Sequence, residues 1–204
     1  MAAVTQPFIL GQFFVYVNPG LSTIQQGEII DSFRSIREDI EKTAYTAYLV
    51  ELTEKLLDEK QPDPFLYDEL IHTLKRIADY EDYAVPVMMY ELKAFNKGGF
   101  QPILYSCTRC GDKQGPFTFS IGEGGLLCRP CSSLDEQSIP LTMVQVKLLQ
   151  IFHSVSIEKV GEISVKPDNV RLLRQILDAY YDHYGGFYLK SKKFLIQLDQ
   201  LKGL

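Results

Sequence analysis

Four cysteines are the residues of clearest chemical purpose, paired as Cys107-Thr-Arg-Cys110 and Cys128-Arg-Pro-Cys131 with seventeen residues between the pairs. The chain has no others. Two thiolates from each Cys-x-x-Cys complete a tetrahedral shell, the donor pattern of a structural site for one Zn2+. Four protein ligands leave no position for water, so such an ion holds a fold together and activates no nucleophile. Two other fates suit four thiols: burial without a ligand, or two disulfides in an exported protein. No secretory signal or transmembrane run is legible. The expected setting is therefore the reducing cytoplasm, away from membranes, where zinc is favoured over disulfides.

Other chemistry is sparse. His72, His153 and His183 lie among apolar or aromatic helical residues, with no nucleophile and carboxylate patterned beside them, and read as structural or surface groups. Gly122-Glu-Gly-Gly125 lacks the Lys-Ser/Thr end of a phosphate loop and reads as a turn. Glu38, Asp39 and Glu41 read as a solvated helix face. Nothing here supports a catalyst.

The cations say more. Lys190, Lys192 and Lys193 follow Phe187-Tyr188 and precede an apolar stripe, which suits contact with phosphate or with the carboxylates of a peptide. Arg171 and Arg174 stand three apart on one helix face, placed to enlarge that patch or to pair with Asp168 and Asp178. On this reading, replacing all three lysines with Glu weakens ligand binding and leaves the fold intact.

The elements that carry these groups are mostly helical. Residues 7–17 and Leu21 to Ile30 read as two strands around the turn Asn18-Pro-Gly20. Ile36, Ile40, Ala44, Tyr48, Leu52 and Leu56 recur at helical spacing to about residue 58. Gln61-Pro-Asp-Pro64 breaks that run and opens a helix over 65–80, and another over 84–96 is closed by Lys97-Gly-Gly99. Between the cysteine pairs an alternating strand, a glycine turn and a short return predict a small hairpin that brings the pairs together. Ser138-Ile-Pro-Leu reads as the opening of a helix over 141–153, and a long helix spans 168–184. A final helix carries Leu195, Leu198 and Leu201.

Composition permits a sizeable core: 46% of the 204 residues are hydrophobic, aromatic without Trp. The net charge of -5 argues weakly against an evident nucleic-acid binder, yet it is uneven. Residues 1–106 hold 9 basic and 16 acidic side chains, whereas 141–204 hold 9 basic and 6 acidic. Phosphate is better met by the carboxy-terminal part.

Gln6-Pro-Phe-Ile-Leu-Gly-Gln-Phe, Gly20-Leu-Ser-Thr-Ile-Gln-Gln-Gly-Glu-Ile, Ser35-Ile-Arg-Glu-Asp-Ile with Ala44-Tyr-Thr-Ala-Tyr, the cysteine pairs and Tyr188-Leu-Lys-Ser-Lys-Lys-Phe-Leu together resemble the bacterial RecO family. The resemblance runs over essentially the whole chain, in order. It implies an amino-terminal oligonucleotide-binding (OB) β-barrel, a helical domain and an inserted zinc module. It also implies a recombination mediator that binds single- and double-stranded DNA, anneals strands, and docks the acidic tail of the single-stranded-DNA-binding protein SSB. With RecR, such a protein helps load RecA on coated strands. Cys107, Cys110, Cys128 and Cys131 match the family's metal positions, and Lys190, Lys192 and Lys193 its basic motif. The first barrel strands have no counterpart here and are expected to be missing by truncation.

The expected architecture is thus mainly α: a barrel remnant over 1–32, helices over 33–106, the zinc module over 107–132 and further helices over 133–204. The expected role is non-enzymatic and nucleoid-associated in the cytoplasm. The alternative is a zinc-stapled adaptor that contacts proteins without binding DNA itself.

Overall fold

Phe13, Phe14, Val15 and Tyr16 supply β-branched and aromatic bulk to β1 (Leu10–Tyr16), which pairs antiparallel with β2 (Thr23–Asp31). Among the described residues no third strand joins this ladder. The computed structural model describes residues 3–57, 61–161 and 164–202, apart from the side chains at 199, 201 and 202. Phe14, Tyr16 and Ile30 of the ladder and Val17 just beyond it are exposed, while Val4 is buried over Gly11 and Gly27. A Cβ at Gly11 would come within 2.6 Å of Val4 Cγ2, so glycine is what lets the chain cross there.

The helical run predicted from residue 36 is two helices. Asp39 is extended (φ -123, ψ 124) and separates α1 (Arg34–Glu38) from α2 (Ile40–Leu56). Its carboxylate accepts the N–H groups of Glu41 and Lys42 at 2.8 and 2.9 Å, so it caps α2 and is no mere surface acid. The predicted end near residue 58 lies outside the described residues. α3 (Pro64–Asp79) starts as its sequence dictates, with Pro64 in the first turn and Asp63 accepting from Leu66 N.

α4 (Ala84–Lys97) is the axis of the bundle. Eleven consecutive residues, Val85 to Phe95, are buried, which requires neighbours on every side. α2 and α3 supply two of them. Burial of each large side chain there contributes roughly 1.5–3 kcal/mol.

The cysteine module then interrupts the helices. β3 (Phe117–Ser120) pairs antiparallel with β4 (Gly125–Cys128), and the short α5 (Arg129–Ser132) follows. β5 (Ile139–Leu141) adds to the other edge of β3. This segment was expected to open a helix. Instead Pro140 sits in an edge strand, where its missing N–H costs nothing. The helix α6 (Met143–Ser154) begins after Thr142, whose hydroxyl accepts Gln145 N while the Gln145 side chain accepts Thr142 N.

A 3-10 turn at Ile157–Lys159 leads to α7 (Pro167–Tyr184) and α8 (Lys190–Lys202). α6 and α7 pack on α4, and α8 packs on α2, so helices from both sides of the module share one apolar core. Of the stripe predicted for α8, Leu195 is buried and Leu198 half-buried; the Leu201 side chain lies outside those described. The β3–β4 hairpin rests on α7: the Phe119 and Tyr180 rings meet edge-on at 5.9 Å, and Tyr184 Oη donates to Gly122 O at 2.9 Å.

Candidate metal centre and carboxy-terminal basic segment

The two cysteine pairs reach one point by backbone design. Gly111, in the left-handed region at φ 76, closes the first turn by donating its N–H to Cys107 O at 2.9 Å. Thr108 N donates to Leu126 O at 2.8 Å, which pins that turn to β4. β4 itself delivers Cys128, and the α5 turn brings Cys131 back. Gly125 tolerates no side chain, since a Cβ would lie 2.3 Å from Ile103 O.

The four Sγ atoms lie within 4.8 Å of one another, with Cys110 and Cys128 3.5 Å apart. That separation is far beyond a disulfide bond of about 2.05 Å. It is close to the sulfur–sulfur edge of about 3.8 Å that a tetrahedron with metal–sulfur bonds near 2.3 Å requires. Burial pushes the Cys107 thiol up, but the backbone N–H groups of Cys128, Cys110 and Arg109 together bring it down to about 6. Cys131 moves the other way, to about 12, through its hydrogen bond with Cys128 and then burial. Crowded sulfurs resist ionising together, and a divalent cation among them supplies the compensating charge. The cluster is therefore geometrically compatible with metal coordination by four thiolates. Arg109 beside it is paired with Glu123 at 2.6 Å.

The five candidate cations do not form one patch. Arg171 is exposed and pairs with Asp168 at 3.0 Å, a surface contact of small energetic weight. Arg174 points inward, bonding Glu91 at 2.6 Å and Asp178 at 3.0 Å. Lys192 is buried, donates to Asp182 at 2.6 Å, and sits 4.6 Å from the centre of the Tyr181 ring. The expectation that all three lysines can be replaced without disturbing the fold thus fails at Lys192, whose charge is spent on holding α8 to α7. Lys190 and Lys193 are exposed and without ion-pair partners among the described residues, with Tyr188 and Phe194 exposed beside them.

Sequence reasoning missed the groups that position this segment. Glu51 of α2 caps α8 from outside: its carboxylate accepts Lys190 N at 3.1 Å and Ser191 N at 2.9 Å. Burial pushes Glu51 up, yet the donors from Ser191 and Lys190 outweigh it and leave the carboxyl below its ordinary 4.5. A depressed acid stabilises the folded state above its unfolded pKa, and that contribution is lost as pH falls through the folded value. The Ser191 amide resonance is expected to titrate below pH 4.5. Glu51→Gln should abolish that titration and speed hydrogen exchange at Lys190 and Ser191; an unchanged NMR titration in the variant would refute the cap.

Two buried ionic clusters complete the scaffold. Fully buried Glu91 accepts Tyr48 Oη at 2.7 Å besides bonding Arg174, joining α2, α4 and α7. Glu69 and Lys93 face each other at 3.7 Å, with Glu69 accepting Ile157 N and Lys93 donating to Phe152 O. The available signal was Glu91-Leu-Lys93 inside an otherwise apolar run, since buried charge demands partners. Among the described residues no histidine belongs to the cysteine cluster; His153 Nε2 bonds Gln101 at 3.1 Å. No helix among the described residues is long and apolar enough to cross a membrane.

Residues 37–193 match the family model described as Recombination protein O C terminal. A "DNA repair protein RecO" of Oceanobacillus iheyensis is 54% identical over 199 residues, covering 98% of this chain and 77% of that protein. The proteins of the same name from Bacillus pumilus and Bacillus subtilis are 41% and 37% identical over 204 residues, each with 80% of its own length covered. The likeness takes in the helices on both sides of the cysteine module as well as the β1–β2 ladder. This chain belongs to the bacterial RecO family, the non-catalytic recombination mediators of DNA repair.

Proposed function

We propose that the protein mediates recombination by binding DNA, with its cysteine cluster holding one structural Zn2+ through Cys107, Cys110, Cys128 and Cys131. In this reading RecR and the acidic tail of SSB are partners, and RecA loading is the downstream result, on the nucleoid in the cytoplasm. Family membership across residues 37–193 is the observation that carries the reading.

The exposed cations Lys190 and Lys193, with Arg171, neutralise phosphate, or the carboxylates of a docked tail, while base pairing between strands supplies sequence matching. Tyr188 and Phe194 add apolar surface beside them. Lys192 and Arg174 contribute by placing α8 and α7. Zinc bound at the cluster fixes the β3–β4 hairpin against α7 and has no share in bond chemistry.

One observation favours an adaptor that binds proteins alone: two of the five candidate cations are consumed by internal ion pairs. Anisotropy of a labelled oligonucleotide at low and high salt separates the readings. DNA binding predicts a salt-sensitive signal, and Lys190→Glu with Lys193→Glu should lower affinity about tenfold or more and flatten the salt slope by about two contacts. Binding that is absent at low salt leaves the adaptor. Binding unchanged in the double variant, with circular dichroism unaltered, removes α8 from the interface.

A further inference from the structure

The four sulfurs of the cysteine cluster are not equally accessible. Cys110 is exposed, Cys131 half-buried, and Cys107 and Cys128 buried. Cys110 Sγ lies 3.5 Å from Cys128 Sγ, across the gap between the two pairs. An accessible thiolate set beside a shielded one lets a small oxidant strike the first sulfur while the second resolves the product. We propose that Cys110 is an oxidation site for hydrogen peroxide, resolved by Cys128 into a reversible disulfide that joins the two cysteine pairs and dismantles the metal shell. The metal part of this rests on the zinc reading above; the disulfide part needs only the sulfurs.

Burial and backbone assign the roles. Peroxide must reach the sulfur it oxidises, and solvent reaches Cys110. Cys128 ends β4 with 2% exposure, so it is shielded from the oxidant and can attack only a neighbour. Closing from 3.5 Å to a disulfide bond of about 2.05 Å asks for a shift of about 1.5 Å. The first turn can supply that shift better than the strand. A Cβ at Gly111, next to Cys110, would meet nothing within 4 Å, so the turn has open space around it. Cys128 is instead held in the ladder opposite Phe117.

The electron count closes with peroxide alone. The Cys110 thiolate attacks one peroxide oxygen, the O–O bond breaks, hydroxide departs, and Cys110 carries a sulfenic acid. The Cys128 thiolate then attacks that sulfur, the S–O bond breaks, a second hydroxide departs, and the S–S bond forms. Two thiolates together lose two electrons, and one peroxide is reduced to two hydroxides. Zinc, when bound, keeps the sulfurs deprotonated for both steps. Cys107 and Cys131 remain, too few for a closed tetrahedral shell. A dithiol reverses the change: it reduces the bond, is itself oxidised to a cyclic disulfide, and returns four thiols to the cluster.

The test treats the full reduced chain, its metal content already measured, with a few equivalents of hydrogen peroxide. A chromogenic chelator reads released zinc, and mass-spectrometric peptide mapping after alkylation reads the sulfurs. A Cys110–Cys128 cross-link is expected to rise in step with zinc release, and dithiothreitol with added zinc should restore both thiols and ion. Cys110→His keeps a zinc ligand without the oxidisable sulfur, and should release the ion at least about tenfold more slowly. If that variant holds no metal, the map of the parent still decides. Met143 is the other exposed sulfur-bearing side chain among the described residues, and its sulfoxide gains oxygen where a disulfide loses hydrogen. Sulfoxide at Met143 as the sole change overturns the proposal. So does a cross-link within either pair, a sulfinic acid at Cys110 in place of the cross-link, or zinc that stays bound once the cross-link has formed. A chain that carries no zinc yet forms the Cys110–Cys128 bond refutes the zinc reading and supports the oxidation site. A zinc-bearing chain that keeps its ion and all four thiols does the reverse.

Discussion

A Cys128→Ser chain, purified under reducing conditions, is expected to retain no stoichiometric zinc, against one ion per chain in the parent. The consequence is large because the part of the module around the cysteines has little else to hold it. Its own apolar cluster is Leu127 with the sulfur-bearing residues and half-buried Phe117. Structural zinc supplies apparent binding free energies of about 10–16 kcal/mol in small zinc domains, all of it coupled to folding. Losing even half of that should leave 107–132 open to limited proteolysis while the helices stay protected. Phe119 and Leu126, which belong to the main core and pack toward α7, should keep the hairpin's base anchored there. Metal analysis of the parent and variant, read beside their cleavage patterns, decides the point. A parent free of metal, or a variant as resistant as the parent, would contradict it.

Glu91→Ala is expected to cost about 3–5 kcal/mol in urea denaturation, the range for breaking a buried pair from one side. The substitution leaves Tyr48 Oη without its acceptor and takes from Arg174 its contact of 2.6 Å. A guanidinium keeps its proton in proteins whatever its neighbours, so Arg174 stays charged when Glu91 is gone, with Asp178 left to pair it. An isosteric Glu91→Gln should lose less, since the amide still accepts from Tyr48. Pairing Glu91→Leu with Arg174→Leu should recover much of the deficit, because no charge is then left buried and unpaired. If the single alanine variant unfolds within about 1 kcal/mol of the parent, the cluster is not a structural clasp.

The cysteine cluster and the order of the helices were legible because their signals are local. Cys-x-x-Cys spacing, Pro64 after Asp63, and apolar periodicity on α3 and α7 each need only neighbouring residues. The break at Asp39 was hidden because apolar periodicity continues across it, from Ile36 to Ile40; only the cap geometry separates the two helices. β5 was misread for a related reason. Ile139-Pro-Leu141 is too short to show a period, and what makes it a strand is the free edge of β3, a partner distant in sequence. The sharpest difference concerns the cations. Lys190, Lys192 and Lys193 look alike as letters, yet the helical turn exposes the first and third while aiming the second at Asp178 and Asp182. Which lysine is free depends on the acids of α7 that face α8.

The phenol contact between Tyr184 and Gly122 gives the protein its own optical reporter. With no Trp in the chain, ultraviolet emission comes from tyrosine, and Tyr180 and Tyr184 sit where the hairpin meets α7. Loosening of that hairpin changes the surroundings of both rings at once. Release of a metal held by the cysteine cluster would therefore be followed by intrinsic fluorescence, without attaching a dye to any of the four thiols.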